Sequence, residues 1–234
     1  SRSERDPTPD DLTPPRRSST DLPLLHTSKP PGGLSRGLFV VLLPSPAMKI
    51  RFLSDLHLEC GDVPLTLPSV GEDVVVLAGD IDEGTDGMRW AERAIPDRPV
   101  LYVLGNHEAY GKNLDLLREW VRPVRRYTRR DRMMVLDDRS VVLGGVRFIG
   151  ATLWTDFNLL GEERQADSMR FAHRCMNDYQ QISVRFRSGT RLLEPCDTLA
   201  YHRRSRKYLE RTIARSPQPV VVISHHGPFV GASA

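Results

Sequence analysis

The sequence predicts an α/β domain over residues 48–234, and three observations carry that prediction. Apolar runs of strand length alternate with segments of helical periodicity. Four of those runs end in short polar segments bearing Asp, His or Asn: Ser54-Asp55-Leu56-His57, Gly79-Asp80, Gly105-Asn106-His107-Glu108 and Ser224-His225-His226-Gly227. Asp55, Asp80 and Asn106 follow one another at intervals of 25 and 26 residues, close to the ~30 residues of one strand–helix–strand unit.

Taken in order, Ile50–Leu53 reads as a first strand, Asp73–Leu77 as a second and Val100–Leu104 as a third. Between the last two, Met88, Ala91, Ala94 and Ile95 share a face and predict a helix over Thr85–Ile95. After Gly111, Leu114, Leu117, Trp120 and Val121 repeat at helical spacing. Met133–Leu136, Ser140–Leu143 and Val146–Ile149 read as shorter strands, the last two joined at Gly144-Gly145 as a hairpin. Asp197–Arg215 reads as a long helix and Pro219–Ile223 as the last buried strand.

Residues 1–47 stand apart. They hold nine of the 18 prolines, with Ser, Thr, Arg and Asp set at no regular period. A segment of that composition buries too little apolar surface to offset its ordering entropy, so disorder is expected there. Met48 opens the first strand and reads as the natural start, with the leader as an upstream extension.

Bulk properties narrow the classes further. The 33 basic and 30 acidic residues leave a formal charge of +3, less lopsided than a protein that coats nucleic acid or an anionic membrane. Cys60, Cys175 and Cys196 are scattered and form no C-x-x-C pair, which argues against a disulfide framework or a structural zinc site and for a cytoplasmic, reducing setting. The apolar run Gly37–Leu43 falls short of the ~18 residues a membrane span needs, and no small-residue cleavage site follows it.

Asp, His and Asn hold small divalent ions through oxygen and imidazole nitrogen. Each of the four polar segments leaves the carboxyl end of a strand, where open α/β sheets bind ligands. Asp55 and His57 are two apart, so in extended chain they point the same way. Gly79, Gly105 and Gly227 permit close backbone approach.

In this order the segments resemble the calcineurin-like metallophosphoesterases, whose members share a D-x-H, G-D, G-N-H-[ED], H and G-H-x-H series; Gly150–Asp156 adds to the likeness. The resemblance implies a sandwich of two mixed β-sheets flanked by helices. It implies two ions (Mn, Fe or Zn), with Asp55 and His57 on the first, Asp80 bridging, and Asn106 with His225 or His226 on the second. His225 is preferred because in the family the ligand directly follows the strand. The implied reaction is hydrolysis of a phosphate mono- or diester by a metal-activated hydroxide. Asp80 and His107 are the catalytic residues by this likeness, His107 stabilising the developing charge or protonating the leaving oxygen. Asp82 or Glu83 would fix the His107 tautomer, and Trp154 and Asp156 would line the pocket.

The final G-H-x-H is missing before Ala234. The domain is therefore expected to be incomplete at its C-terminus, with weak or no turnover. A nuclease on the same scaffold and a non-catalytic remnant are the other two readings. Arg122–Arg132 and Arg203–Lys207 hold basic clusters with few interleaved aromatics, read as solvated helix faces. His26, His173 and His202 are read as surface residues, and Cys60 as a small buried hydrophobe.

Overall fold

The computed structural model describes residues 48–61, 67–122 and 132–229, so the expected disorder over 1–47 lies outside the described residues. Strands β1 (Ile50–Leu53), β2 (Val74–Ala78), β3 (Val100–Val103) and β4 (Met133–Val135) form a four-stranded sheet, parallel throughout, in the order 1-2-3-4. Strands β5 (Arg139–Leu143) and β6 (Val146–Ala151) pair antiparallel, and β9 (Val220–Ser224) joins β6 in parallel. A separate hairpin pairs β7 (Ser183–Phe186) with β8 (Gly189–Leu192).

The side-chain alternation of β2 and β3 explains how the layers stack. Val74, Val76, Ala78, Leu101 and Val103 face the second sheet and pack with Met134, Leu136, Phe148 and Ile223. Val75, Leu77, Val100 and Tyr102 face the other way, onto helices α1 (Asp86–Ala94) and α2 (Leu114–Val121). Both strands are therefore apolar at every position, as parallel strands buried on two faces must be. On the far side of the second sheet, Ile149 and Ala151 meet Leu209 of α5 (Pro195–Ala214). The result is a helix–sheet–sheet–helix sandwich. The resemblance implied two mixed sheets; the first is wholly parallel and only the second is mixed.

Predicted element positions hold within two residues, and the departures have local causes. Helix α5 begins at Pro195 rather than Asp197. Asp197 accepts the Glu194 backbone N–H at 2.9 Å as the third residue of a capping box, and Pro195 needs no N–H partner in the first turn. Trp120 leaves the apolar stripe of α2 and is 57% exposed, while Leu114, Leu117 and Val121 are buried. Helices α3 (Gln165–Cys175) and α4 (Asp178–Gln181) and the β7–β8 hairpin escaped the sequence reading. Only Ala172 of α3 is buried, so it shows no apolar period to read.

Candidate metal centre

The parallel sheet delivers its polar segments to one edge because β1, β2 and β3 all run the same way and stop together. Beyond the strands the chains stay paired: the Asp55 N–H donates to the Gly79 carbonyl and the His57 N–H to the Asp80 carbonyl, each at 3.1 Å. Asp55, His57 and Asp80 have φ of 54°, 45° and 53°, a left-handed conformation that costs a non-glycine residue ~1–2 kcal/mol. These two residues of the first segment are thus not extended as the spacing argument assumed. They still converge, and one donor atom from each of Asp55, His57 and Asp80 lies within 4.8 Å of the others.

The Asp80 carboxylate is the centre of the arrangement and only 4% of the residue is exposed. Its Oδ1 accepts the His107 backbone N–H at 2.9 Å. Its Oδ2 stands 3.9 Å from His57 Nε2 and 3.5 Å from His225 Nε2. Burial opposes its ionisation, but the hydrogen bond and charge of His225 and the His107 N–H outweigh it and hold the carboxyl below the ordinary carboxylate range. Gly105 makes room for this group: a Cβ there would collide with Asp80 Oδ1.

His225, at the exit of β9, is fixed from both ring nitrogens. Nδ1 faces the Ala78 carbonyl at 3.0 Å, and Nε2 faces Asn106 Oδ1 at 3.1 Å as well as Asp80. Burial pushes its pKa down, yet Asp80 and the Ala78 carbonyl raise it overall. His226 turns elsewhere: it binds the Thr152 carbonyl through Nδ1 at 3.1 Å and stacks on Trp154. Burial lowers its pKa to about 4. The structure brings His225, not His226, to Asp80 and Asn106.

Two residues to which the sequence reading gave no role organise the site. Asp178 of α4 is buried and accepts Asn106 Nδ2 at 2.8 Å and the Tyr110 hydroxyl at 2.9 Å. Holding the amide nitrogen, it leaves Asn106 Oδ1 toward His225. Glu108 is wholly buried and accepts the N–H groups of Asp80, Ile81 and Gly105 and the Tyr102 hydroxyl, at 2.7–3.0 Å. Burial raises its pKa, against those hydrogen bonds. The string Gly105–Glu108 was legible as a unit; this clamping role of its last residue had no separate signal.

The carboxylate beside His107 is Glu59, correcting the expectation of Asp82 or Glu83. Glu59 Oε1 lies 3.0 Å from His107 Nδ1 and 2.9 Å from His57 Nδ1. The 3-10 turn Leu58–Cys60 carries Glu59 into place directly after His57. Its hydrogen bond raises the His57 pKa, with burial opposing. His107 also stacks on Tyr110, ring centres 4.1 Å apart. Glu83 instead lies 3.7 Å from Lys112. Trp154 is buried against His226 and Tyr201, and Asp156 accepts the Asn158 N–H, so in these interactions neither contacts Asp55, His57, Asp80, Asn106 or His225. Cys60 is exposed rather than buried, and His202 is half-buried on the Leu153 carbonyl rather than free at the surface.

Chemically, these donors fit metal ions. Two donors each ~2.1 Å from one ion at a right angle lie about 3 Å apart. The 3.1–3.9 Å spacings among Asn106, His225, Asp80 and His57 are near that value before any ion draws them in. Mixed carboxylate, amide oxygen and imidazole donors suit manganese, iron or zinc.

Comparison with known proteins gives a consistent picture. Residues 48–233 match the family model described as calcineurin-like phosphoesterase. The chain is similar to protein L509 of Acanthamoeba polyphaga mimivirus, 25% identical over 198 residues that cover 77% of this chain and 68% of that protein. It is 38% identical over 69 residues to acyl-carrier-protein phosphodiesterase PptH of Mycobacterium tuberculosis, a stretch covering 27% of this chain and 21% of that protein. The crystal structure of phosphopantetheinyl hydrolase from the same organism shares the fold, with a TM-score of 0.53 and 21% identity over 76% of this chain and 68% of that one.

Proposed function

We propose that this chain, which belongs to the calcineurin-like phosphoesterase family, hydrolyses a phosphate ester with two metal ions. Asp55, His57 and Asp80 would hold one ion, and Asp80, Asn106 and His225 the other. Membership of the family makes the chain a phosphate-ester hydrolase; the ligand assignment and metal count are the reading argued from geometry. One relationship carries it: a single Asp80 oxygen faces His57 Nε2 and His225 Nε2 at once.

Bound there, manganese, iron or zinc supplies Lewis-acid stabilisation to the phosphoryl oxygens and acidifies water. The residues of the chain do the rest. Glu59 accepts from Nδ1 of both His57 and His107, leaving each Nε2 for other work. On His57 that nitrogen is turned to Asp80 and the ion. On His107 it serves to donate a proton toward charge developing on the leaving oxygen, with Glu59 stabilising the imidazolium. Asp178 and Glu108 keep Asn106 and the Asp80 peptide from moving as charge shifts.

The similar protein named a phosphodiesterase supports a diester as the substrate class. Three exposed free cysteines suit a reducing compartment, which supports a cytoplasmic setting as part of this reading. No described helix is long and apolar enough to cross a membrane. The test is release of nitrophenolate from bis(4-nitrophenyl) phosphate and from 4-nitrophenyl phosphate with manganese. Turnover that needs the metal, stops with EDTA and is faster on the diester is expected. A chain that binds two ions per molecule yet releases nothing from either ester with manganese, iron or zinc defeats the reading.

A further inference from the structure

Two basic stretches far apart in sequence, on α2 and α5, meet at one cavity of about 740 Å³, bounded also by the segments around β4–β5 and β7. None of the expected metal ligands lines it. Its carboxylates are engaged. Asp137 takes two hydrogen bonds from Arg118 at 2.7 and 2.6 Å, and Asp138 takes one from Arg204 at 3.1 Å. Glu119 pairs with Arg185, whose backbone N–H goes to Asp115.

Four further cations line the same cavity without a carboxylate partner among the described residues: Arg122, Arg139, Lys207 and Arg211. Arg139 Nη1 donates to the Arg122 carbonyl at 3.0 Å, which anchors one guanidinium. Among the described residues, seven cations against four carboxylates leave three positive charges in excess. A concave protein wall focuses such a field, and guanidinium forks match phosphate oxygens in pairs. The volume falls in the range of small-ligand pockets. Among the described residues, Tyr208 is the only aromatic on the wall, too little for a platform that stacks successive bases.

We propose that this cavity binds a small, multiply charged phosphorylated ligand of nucleotide size, at a site separate from the metal centre. The inference does not depend on the hydrolytic reading, and its test is kept apart from it. Titration calorimetry of the full chain with inorganic tripolyphosphate, in EDTA so that bound metal plays no part, is expected to show saturable one-to-one binding that weakens as salt rises. The double variant Lys207→Glu, Arg211→Glu should weaken binding by about tenfold or more, while Arg211→Lys keeps it within about threefold. Circular dichroism checks the fold, and manganese-dependent turnover of the double variant should stay at the parent level. Arg122→Gln, also expected to weaken binding, serves if the double variant does not fold. No saturable binding, or binding by the folded double variant or Arg122→Gln equal to the parent's, overturns the proposal. So does binding of oligonucleotides, in proportion to their length, without binding of tripolyphosphate.

Discussion

Glu108 Oε2 accepts the backbone N–H of Asp80 at 3.0 Å, so a wholly buried carboxylate fixes the peptide that carries the central carboxylate of the site. The same side chain reaches Gly105 and Ile81, tying the loop after β2 to the loop after β3. Both loops would otherwise end in unpaired buried N–H groups.

Glu108→Gln should therefore be costly although nearly isosteric. An amide nitrogen replaces one acceptor oxygen and meets two donors whichever way it is turned. Losing two buried, charge-assisted hydrogen bonds is expected to destabilise by about 3–5 kcal/mol. Urea unfolding of parent and variant measures it, and a loss under 1 kcal/mol would mean that Glu108 is not the clamp.

Asp80→Asn should strike metal binding rather than folding. The amide keeps the shape but loses the charge facing two imidazoles. Manganese at about a hundred times its Kd should stabilise the parent by about 2.7 kcal/mol, seen as a higher melting temperature. The variant should lose that increment, and its turnover should fall by about a hundredfold or more. Equal thermal shifts in both proteins would remove Asp80 from the ligand set.

Asp178→Ala tests whether amide orientation matters. Without the Asp178 carboxylate, Asn106 Nδ2 keeps only the long 3.4 Å contact to the Tyr110 hydroxyl, and the carboxamide can flip and present nitrogen to the ion. An affinity loss of about 10–100-fold for one of two ions is expected, read by metal titration followed with a fluorescent competitor. Unchanged affinity for both ions in a folded variant would show Asn106 to be oriented by other means.

Far from the site, Glu72 provides a pH signature. Its own N–H and that of Val70, with Arg98 adding charge against some burial, bring its pKa from 4.5 down to about 2. The folded value lies below the unfolded one, so the stabilisation is complete above pH 4.5 and fades as pH falls from 4.5 to 2. Glu72→Gln should be less stable than the parent at pH 6, with the gap closing by pH 2. Unfolding curves at both pH values check this, and a gap independent of pH would contradict it.

Much of this was legible because it depends on local order. Val74–Ala78 and Val100–Val103 are apolar without alternation, which is what two covered faces require, and the residue after such a strand must turn. Asp55, Asp80, Asn106 and the His225–His226 pair could be located from that rule together with the family resemblance. Helix α3 and the β7–β8 hairpin were not legible, since both are largely exposed and show no period. Asp178 was hidden for another reason: it lies 72 residues from Asn106, and nothing near it in sequence marks its partner.

Chain order alone determined which side chains leave the carboxyl ends of the strands, because strand length and polarity are properties of neighbouring residues. Only the packed tertiary structure decided which groups meet. It set the His225 ring against Asp80 and the His226 ring against Trp154. It placed Glu59 rather than Asp82 beside His107, and it gathered Arg122, Lys207 and Arg211 around a cavity. Those outcomes follow from loop paths and left-handed backbone turns, which bring together residues whose separation along the chain carries no record of their contact.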